Sequence, residues 1–197
     1  MEKKRILFYG DSNTYGFNGA DYVEGRYPAS VRWVDVVAKE YLPDWEVLSD
    51  GLNGRRIPPK NHLEEWAGEP LRRLGKEGYF SFMLGTNDVA SGYSPKPEVA
   101  MRAMEVYLAY LTSHHDPEKI LLVAPVYIEE PEFLGPCQLM NGHFHYLSRR
   151  YGVHFCDAAE WGIALSEDDV HFSREGHATF AREIAKKVKE IWGGEEA

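Results

Sequence analysis

Five short, largely apolar runs constrain the fold of this chain more than any other feature of its sequence. They cover residues 6–9, 45–48, 80–84, 120–124 and 153–156, and a turn-forming residue or a proline follows each of them within two positions. Runs of this length are typical of strands that are covered on both faces, because such strands leave no side to the solvent. We therefore predict five buried strands.

The segments between these runs repeat apolar residues with the helical period. One such stripe consists of Ala100, Met104, Tyr107, Leu108 and Leu111. The last helical segment follows Ser173, a residue type that commonly caps helices. Strands that alternate with helices predict an α/β fold of three layers, with helices on both faces of a five-stranded parallel sheet. We expect a single domain over residues 1–192 and a frayed tail over residues 193–197.

The composition argues against several classes of partner. The chain has 22 basic and 31 acidic residues and a formal net charge of −9, whereas nucleic acids and anionic lipids bind to basic surfaces. We therefore expect no nucleic-acid partner and no membrane partner. The apolar segment behind the basic residues 3–5 stops at Gly10, too early for a signal peptide, so we expect a cytoplasmic protein. The sequence leaves assembly into a homo-oligomer open.

The sequence offers little for a metal or a cofactor. Cys137 and Cys156 lack the spacing of metal ligands, and we expect two free thiols. His143 and His145 alternate as on a strand, but no third ligand accompanies them. Neither a phosphate-binding loop nor a Gly-x-Gly-x-x-Gly motif occurs, and no Gly-x-Ser-x-Gly elbow of an ordinary α/β-hydrolase is present. We expect no metal and no cofactor.

Chemically active residues follow three of the predicted strands and precede the last helix. The segments are Gly10-Asp11-Ser12, Asp50-Gly51-Leu52-Asn53-Gly54, Gly85-Thr86-Asn87-Asp88 and Asp168-Asp169-Val170-His171. Ligands of open parallel sheets bind at the carboxyl ends of the strands, so we expect these segments to meet at one edge.

These residue types complement one another as the parts of a nucleophilic enzyme. A serine hydroxyl needs a base, which His171 can supply to Ser12, and an imidazole needs a partner such as Asp168 on its other nitrogen. Asp169 and Glu167 compete with Asp168 for that place, and the spacing favours Asp168. Backbone N–H groups of Ser12 and Gly54 and the side-chain amide of Asn87 are candidate donors to an oxyanion.

The four segments, in this order and at this spacing, resemble the four sequence blocks of the SGNH hydrolases, also called GDSL esterases. The resemblance implies a flavodoxin-like sheet of five parallel strands and an acyl-serine mechanism for a small-molecule ester substrate. It assigns the nucleophile to Ser12, the base to His171, its orienting acid to Asp168, and the oxyanion hole to Ser12, Gly54 and Asn87. Asp11 and Asp88 are expected to support the site structurally. Asn13 departs from the leucine of the family's name, and no chemistry is assigned to it.

Two further segments, Val31-Arg32-Trp33 and residues 50–55, resemble the arylesterase and acyltransferase branch, which acts on short esters. We therefore predict a serine esterase of short-chain, acetyl-type esters, with transfer to other alcohols if the pocket excludes water. A carbohydrate acetylesterase is the alternative enzyme, and a non-catalytic flavodoxin-like binding module is the alternative of another class. The alcohol pocket is expected from the loops at 17–30, 89–97 and 126–143. The aromatic candidates for its lining are Tyr15, Phe17, Tyr27, Trp33, Tyr93 and Phe172.

Overall fold

The computed structural model describes residues 3–21, 23, 25–90 and 94–194. Within them lies one sheet of five parallel strands in the order β2-β1-β3-β4-β5. The strands are β1 (Arg5–Gly10), β2 (Glu46–Gly51), β3 (Tyr79–Met83), β4 (Ile120–Ala124) and β5 (His154–Asp157). Four of them coincide with a predicted run within one residue at each end, and β2 ends three residues beyond its run. The strand order is the flavodoxin-like one. The predicted fold class is confirmed.

Seven α-helices cover this sheet in the described part of the chain. They are α1 (Ser12–Tyr15), α2 (Trp33–Val36), α3 (Glu69–Leu74), α4 (Thr86–Val89), α5 (Pro97–His114), α6 (Pro131–Tyr151) and α7 (Arg174–Trp192). A π-helical turn, Val37–Tyr41, extends α2, and another, Glu64–Gly68, leads into α3. Short 3-10 turns lie at Lys60–His62, Pro117–Lys119 and Ala158–Trp161.

Alternate residues of the strands point into two separate apolar cores. Leu7, Tyr9 and Phe82 face α3, α5 and α6, whereas Ile6 and Phe8 face α2 and α7. All five side chains are at most 2% exposed. Strands β1, β3 and β4 are buried on both faces, which explains their continuous apolar runs, since removing either side from water lowers the free energy of the folded chain. The edge strands β2 and β5 are only partly buried, so the prediction of five buried strands is wrong for these two.

The strand register places three predicted segments level with one another. Gly10 at the end of β1 pairs with Gly51 on β2 and with Met83 on β3. The chain therefore leaves three neighbouring strands at the same height, and Ser12, Gly54 and Asn87 all lie within a few residues of that point.

The region before β5 differs from the sequence-based prediction. Helix α6 begins at Pro131, so most of the expected loop 126–143 is helical, and His143 and His145 lie on a helix rather than on a strand. Gly135, Pro136 and Gly142 interrupt the helical pattern in the sequence, although the buried residues Cys137, Met140, Phe144 and Leu147 repeat at helical spacing.

Other local expectations are met in the described residues. The Ser173 hydroxyl accepts a hydrogen bond from the Gly176 N–H at 3.1 Å, which confirms it as the cap of α7. Cys137 and Cys156 are free and buried. None of the described helices has the length and apolar character that crossing a membrane requires. Tyr93 and residues 195–197 of the expected tail lie outside the described residues.

Candidate active site

Two glycines set the position of Ser12. The chain turns from β1 directly into α1, and a β-carbon on Gly10 would collide with the side chain of Thr14. A β-carbon on Gly51 would collide with the backbone of α1 at Thr14 and Tyr15. Because both glycines lack that atom, α1 lies directly on the ends of β1 and β2. Ser12 begins this helix and is 7% exposed.

Ser12, His171 and Asp168 form one hydrogen-bonded chain. The Ser12 Oγ lies 2.9 Å from the His171 Nε2, and the His171 Nδ1 lies 2.6 Å from the Asp168 Oδ2. The side chains of His171 and Asp168 are each 19% exposed, so the chain is largely shielded from water. The structure thus brings together three residues that are separated by up to 159 positions in the sequence.

The Asp168 carboxylate is fixed on both oxygens. Its Oδ1 accepts hydrogen bonds from the backbone N–H groups of Val170 (3.2 Å) and His171 (2.9 Å) and from the Ser166 hydroxyl (2.8 Å). Burial alone would raise the pKa of Asp168, but the bonds from His171 and Ser166 outweigh it and lower that pKa to about 2. Asp168 is therefore a carboxylate at neutral pH.

The competing acids lie elsewhere. Asp169 adopts a left-handed backbone conformation with φ of 57°, and its carbonyl accepts a hydrogen bond from the Glu129 N–H at 3.4 Å. Glu167 is exposed. Only Asp168 of these three acids contacts the His171 ring.

Gly54 and Asn87 are connected through the backbone of Arg55. Gly54 has φ of +72°. Among the described residues, apart from its two sequence neighbours, no atom lies within 4 Å of where its β-carbon would stand, so a ligand has open access to this backbone. The Asn87 Nδ2 donates to the Arg55 carbonyl at 3.0 Å, which links the amide to the residue next to Gly54. The Arg55 guanidinium donates to the Gly10 carbonyl at 2.8 Å and lies 4.0 Å above the Tyr9 ring, so this segment is tied to β1.

Asp11 and Asp88 are buried carboxyl groups behind this edge. The Asp11 Oδ1 accepts from the Asn13 N–H at 3.0 Å, and the Asp88 Oδ2 accepts from the Ile57 N–H at 3.0 Å. Burial raises the pKa of Asp11 to about 6 and that of Asp88 to about 7, and the charge of Asp11 adds to the second shift. Each carboxyl thus holds the backbone of a segment that carries a predicted site residue.

A cavity of about 500 Å³ opens beside Gly54. Its lining contains neither Ser12 nor His171, and Tyr9, Leu52 and Trp66 are among its apolar members. Six ionisable residues also line it: Asp50, Arg55, Arg56, Glu65, Glu69 and Asp88. A cavity of this size accommodates a small ligand.

The predicted aromatic residues take other places. Phe17 packs against the His171 ring at a centroid distance of 4.6 Å. Tyr27, Trp33 and Phe172 are core residues, each at most 8% exposed. Tyr15 lies under the Arg26 guanidinium, 4.1 Å from ring centroid to the guanidinium carbon. None of these five residues lines the cavity beside Gly54.

Sequence reasoning did not find three features of the site. These are the Ser166 hydroxyl on Asp168, the cavity itself, and Gly19, where a β-carbon would collide with the Asp168 carboxylate. The sequence contains a signal for the first of these features, since Ser166 lies two residues before Asp168. Serine side chains often form hydrogen bonds within such short loops.

Comparisons with known proteins agree with the fold and identify the family. A carbohydrate acetylesterase family member from Sinorhizobium meliloti superposes with a TM-score of 0.77 at 25% identity, covering 96% of this chain and 99% of that chain. The aryl esterase of M. smegmatis superposes with a TM-score of 0.77 at 21% identity, covering 95% of this chain and 99% of that chain, which shows a shared fold. No curated protein matched the sequence. The model of the GDSL-like lipase/acylhydrolase family matches residues 8–179. This chain therefore belongs to the GDSL-like lipase/acylhydrolase family, the SGNH hydrolases, and is a carboxylic ester hydrolase.

Proposed function

We propose that the protein hydrolyses short-chain, acetyl-type esters through an acyl-serine intermediate. The observation that carries this proposal is the hydrogen-bonded chain from the Ser12 Oγ through the His171 ring to the Asp168 carboxylate. The carboxylate holds the proton on the His171 Nδ1, so the Nε2 is free to accept the proton of Ser12.

In the proposed reaction, the His171 Nε2 accepts and returns a proton in each of two steps. The Ser12 Oγ attacks the ester carbonyl carbon while its proton moves to the His171 Nε2. The tetrahedral intermediate expels the alcohol oxygen, which takes this proton as it leaves. Water attacks the acyl-serine, gives a proton to the same nitrogen, and Ser12 recovers it when the carboxylic acid departs. An alcohol in place of this water would yield a new ester, which is the acyltransfer variant of the same proposal.

The negative charge of the tetrahedral intermediate needs donors that are already in place. The backbone N–H groups of Ser12 and Gly54 and the Asn87 amide are proposed for this role. Its support is that Gly54 is open to a ligand and that the Arg55 carbonyl orients the Asn87 amide.

The preference for a small acyl group rests on the surroundings of the site. The cavity beside Gly54 is lined by neither Ser12 nor His171, so it extends beyond the reacting atoms and is open to either part of the ester. An acyl chain extending into it would displace water from the exposed charged side chains of Arg56, Glu65 and Glu69. Removing water from charged groups without new partners is costly, whereas a buried methylene gains only about 0.8 kcal/mol.

We expect a fluorophosphonate probe to label Ser12 and no other serine of the folded protein. The physical reason is that a hydroxyl reacts with such a probe when a neighbouring base takes its proton. Mass spectrometry of the digested, labelled protein identifies the residue, and Ser12→Ala is the control. A folded but unlabelled protein would favour a binding module instead.

We expect kcat/KM to fall from acetyl to octanoyl esters of one phenol by about tenfold or more, because a longer chain would displace water from Arg56, Glu65 and Glu69. Steady-state kinetics on the acetyl, butyryl, hexanoyl and octanoyl esters measures the trend. A steady rise with chain length would contradict the proposed acyl preference.

A carbohydrate acetylesterase is the second candidate, favoured by the composition of the same cavity. Trp66 is 36% exposed at the cavity, next to Glu65 and near Arg56, so an aromatic face stands beside several hydrogen-bonding groups. Such a mixture suits a polar ring better than a hydrocarbon. Assays with acetylated sugars beside phenyl acetate separate the candidates, since only a sugar deacetylase gains kcat/KM from the sugar part.

A further inference from the structure

We propose that Asn13 is a positioning residue that holds His171 at its working distance from Ser12. The Asn13 Oδ1 accepts a hydrogen bond from the Phe172 N–H at 2.8 Å, and its Nδ2 donates to the Val170 carbonyl at 3.2 Å. These two backbone groups flank His171 on either side. The residue next to the nucleophile thus holds the backbone around the base, and the inference rests on the proposed function.

Asn13 is itself fixed on the nucleophile's side. It is 2% exposed, its N–H donates to the Asp11 carboxylate at 3.0 Å, and its carbonyl accepts from the Trp33 Nε1 at 2.9 Å. Its side chain therefore projects from a rigid turn. The distance between this turn and the two backbone groups that it bonds is set by one short amide side chain.

The loop that carries His171 is held together by hydrogen bonds between its own residues. The Ser166 N–H donates to the His171 carbonyl at 2.7 Å, and the Asp169 N–H donates to the Ser166 carbonyl at 3.0 Å. Together with the bonds to Asp168, these contacts fix His171 relative to its own loop. These contacts do not fix the position of the loop relative to Ser12. We assign that positioning to the two hydrogen bonds of the Asn13 side chain.

An asparagine fits this task because its planar group carries one acceptor and one donor side by side. A leucine has the same branching and the same number of side-chain heavy atoms, but it leaves the Phe172 N–H and the Val170 carbonyl without these partners, which costs free energy in a buried place. An ionised aspartate keeps the acceptor but cannot donate to Val170. Shifts of about 1 Å between reacting groups cost on the order of 10²-fold in rate.

The test compares two acetyl esters, because His171 has a different task with each. The ethoxide that leaves ethyl acetate is a strong base and must be protonated as it departs, whereas the p-nitrophenolate that leaves p-nitrophenyl acetate departs without a proton. We expect Asn13→Leu and Asn13→Asp to lower kcat about 10- to 100-fold with KM within about threefold. We also expect kcat/KM, which reports acylation, to fall at least about fivefold more for ethyl acetate than for p-nitrophenyl acetate.

Asn141→Leu is the matched control. Asn141 is 1% exposed and donates to the Pro125 carbonyl at 2.8 Å and to the Asp157 carboxylate at 2.9 Å, but it contacts none of the three chained residues. Its loss is expected to lower the melting temperature while the ratio of the two esters stays constant. This separates a stability effect from a shift of His171.

An unchanged ester ratio in Asn13→Leu, or an equal change in Asn141→Leu, would overturn the role of Asn13. If Asn13→Leu does not fold, Asn13→Asp, which preserves the shape, decides by the same ratio. Failure of the proposed function looks different: the unaltered protein would then neither react with fluorophosphonate at Ser12 nor hydrolyse either ester.

Discussion

Asp168→Asn is expected to lower kcat/KM by up to about 10⁴-fold. The Oδ1 of Asp168 accepts two backbone N–H groups and one hydroxyl, so the amide oxygen of the variant must occupy that position. The amide nitrogen then faces the His171 Nδ1 and donates to it. This forces the proton of the neutral imidazole onto the Nε2, which can no longer take the proton of Ser12. Steady-state kinetics on phenyl acetate at neutral pH measures the loss.

Asp169→Asn is the matched control for this variant. It removes the same charge one residue away, and asparagine tolerates the left-handed conformation that Asp169 adopts. We expect it to lose less than about tenfold in kcat/KM. A greater loss in Asp169→Asn than in Asp168→Asn would show that the orienting acid is assigned to the wrong residue.

The parts of the molecule that the sequence predicts well are those with local causes. All five strands overlap the apolar runs, and for β1, β3 and β4 the cause is burial on both faces, which leaves a pattern that few other structures share. The edge strands β2 and β5 are only partly buried, and the sequence did not distinguish them. The geometry around Ser12 follows from residues that terminate neighbouring strands, because parallel strands deliver their ends to one edge. Helix α6 is the local exception, since Gly135, Pro136 and Gly142 have low helix propensity and tertiary packing overrides it.

The parts that the sequence does not predict depend on contacts between distant segments. The Asn13 side chain bonds backbone groups 157 and 159 positions away, and a backbone partner leaves no trace in residue types. The cavity beside Gly54 is similar, because it is assembled from β1, the segment 50–70, α4 and α5. Such features require the relative placement of elements, which periodicity and motif spacing do not contain.

Asn87→Ala is expected to cost roughly 3 kcal/mol of transition-state stabilisation, or on the order of 10²-fold in kcat, with little change in KM. The Asn87 Nδ2 gives one hydrogen to the Arg55 carbonyl at 3.0 Å. An amide nitrogen carries two hydrogens, so the second is available to an oxyanion beside Gly54. Because this charge appears only as Ser12 attacks, the contact strengthens between ground state and transition state, and its loss acts on kcat.

Asn61→Ala provides the comparison, since it removes an exposed amide from the short turn Lys60–His62 and is expected to leave kcat unchanged. Measuring kcat and KM on phenyl acetate for both variants separates two roles for Asn87. A raised KM with normal kcat would make Asn87 a group that binds the ester before reaction. The donors would then be reduced to the backbone N–H groups of Ser12 and Gly54. The hydrogen bond from Asn87 to the Arg55 carbonyl would then have no part in catalysis. The segment 50–55 would contribute to the oxyanion hole only through the Gly54 N–H.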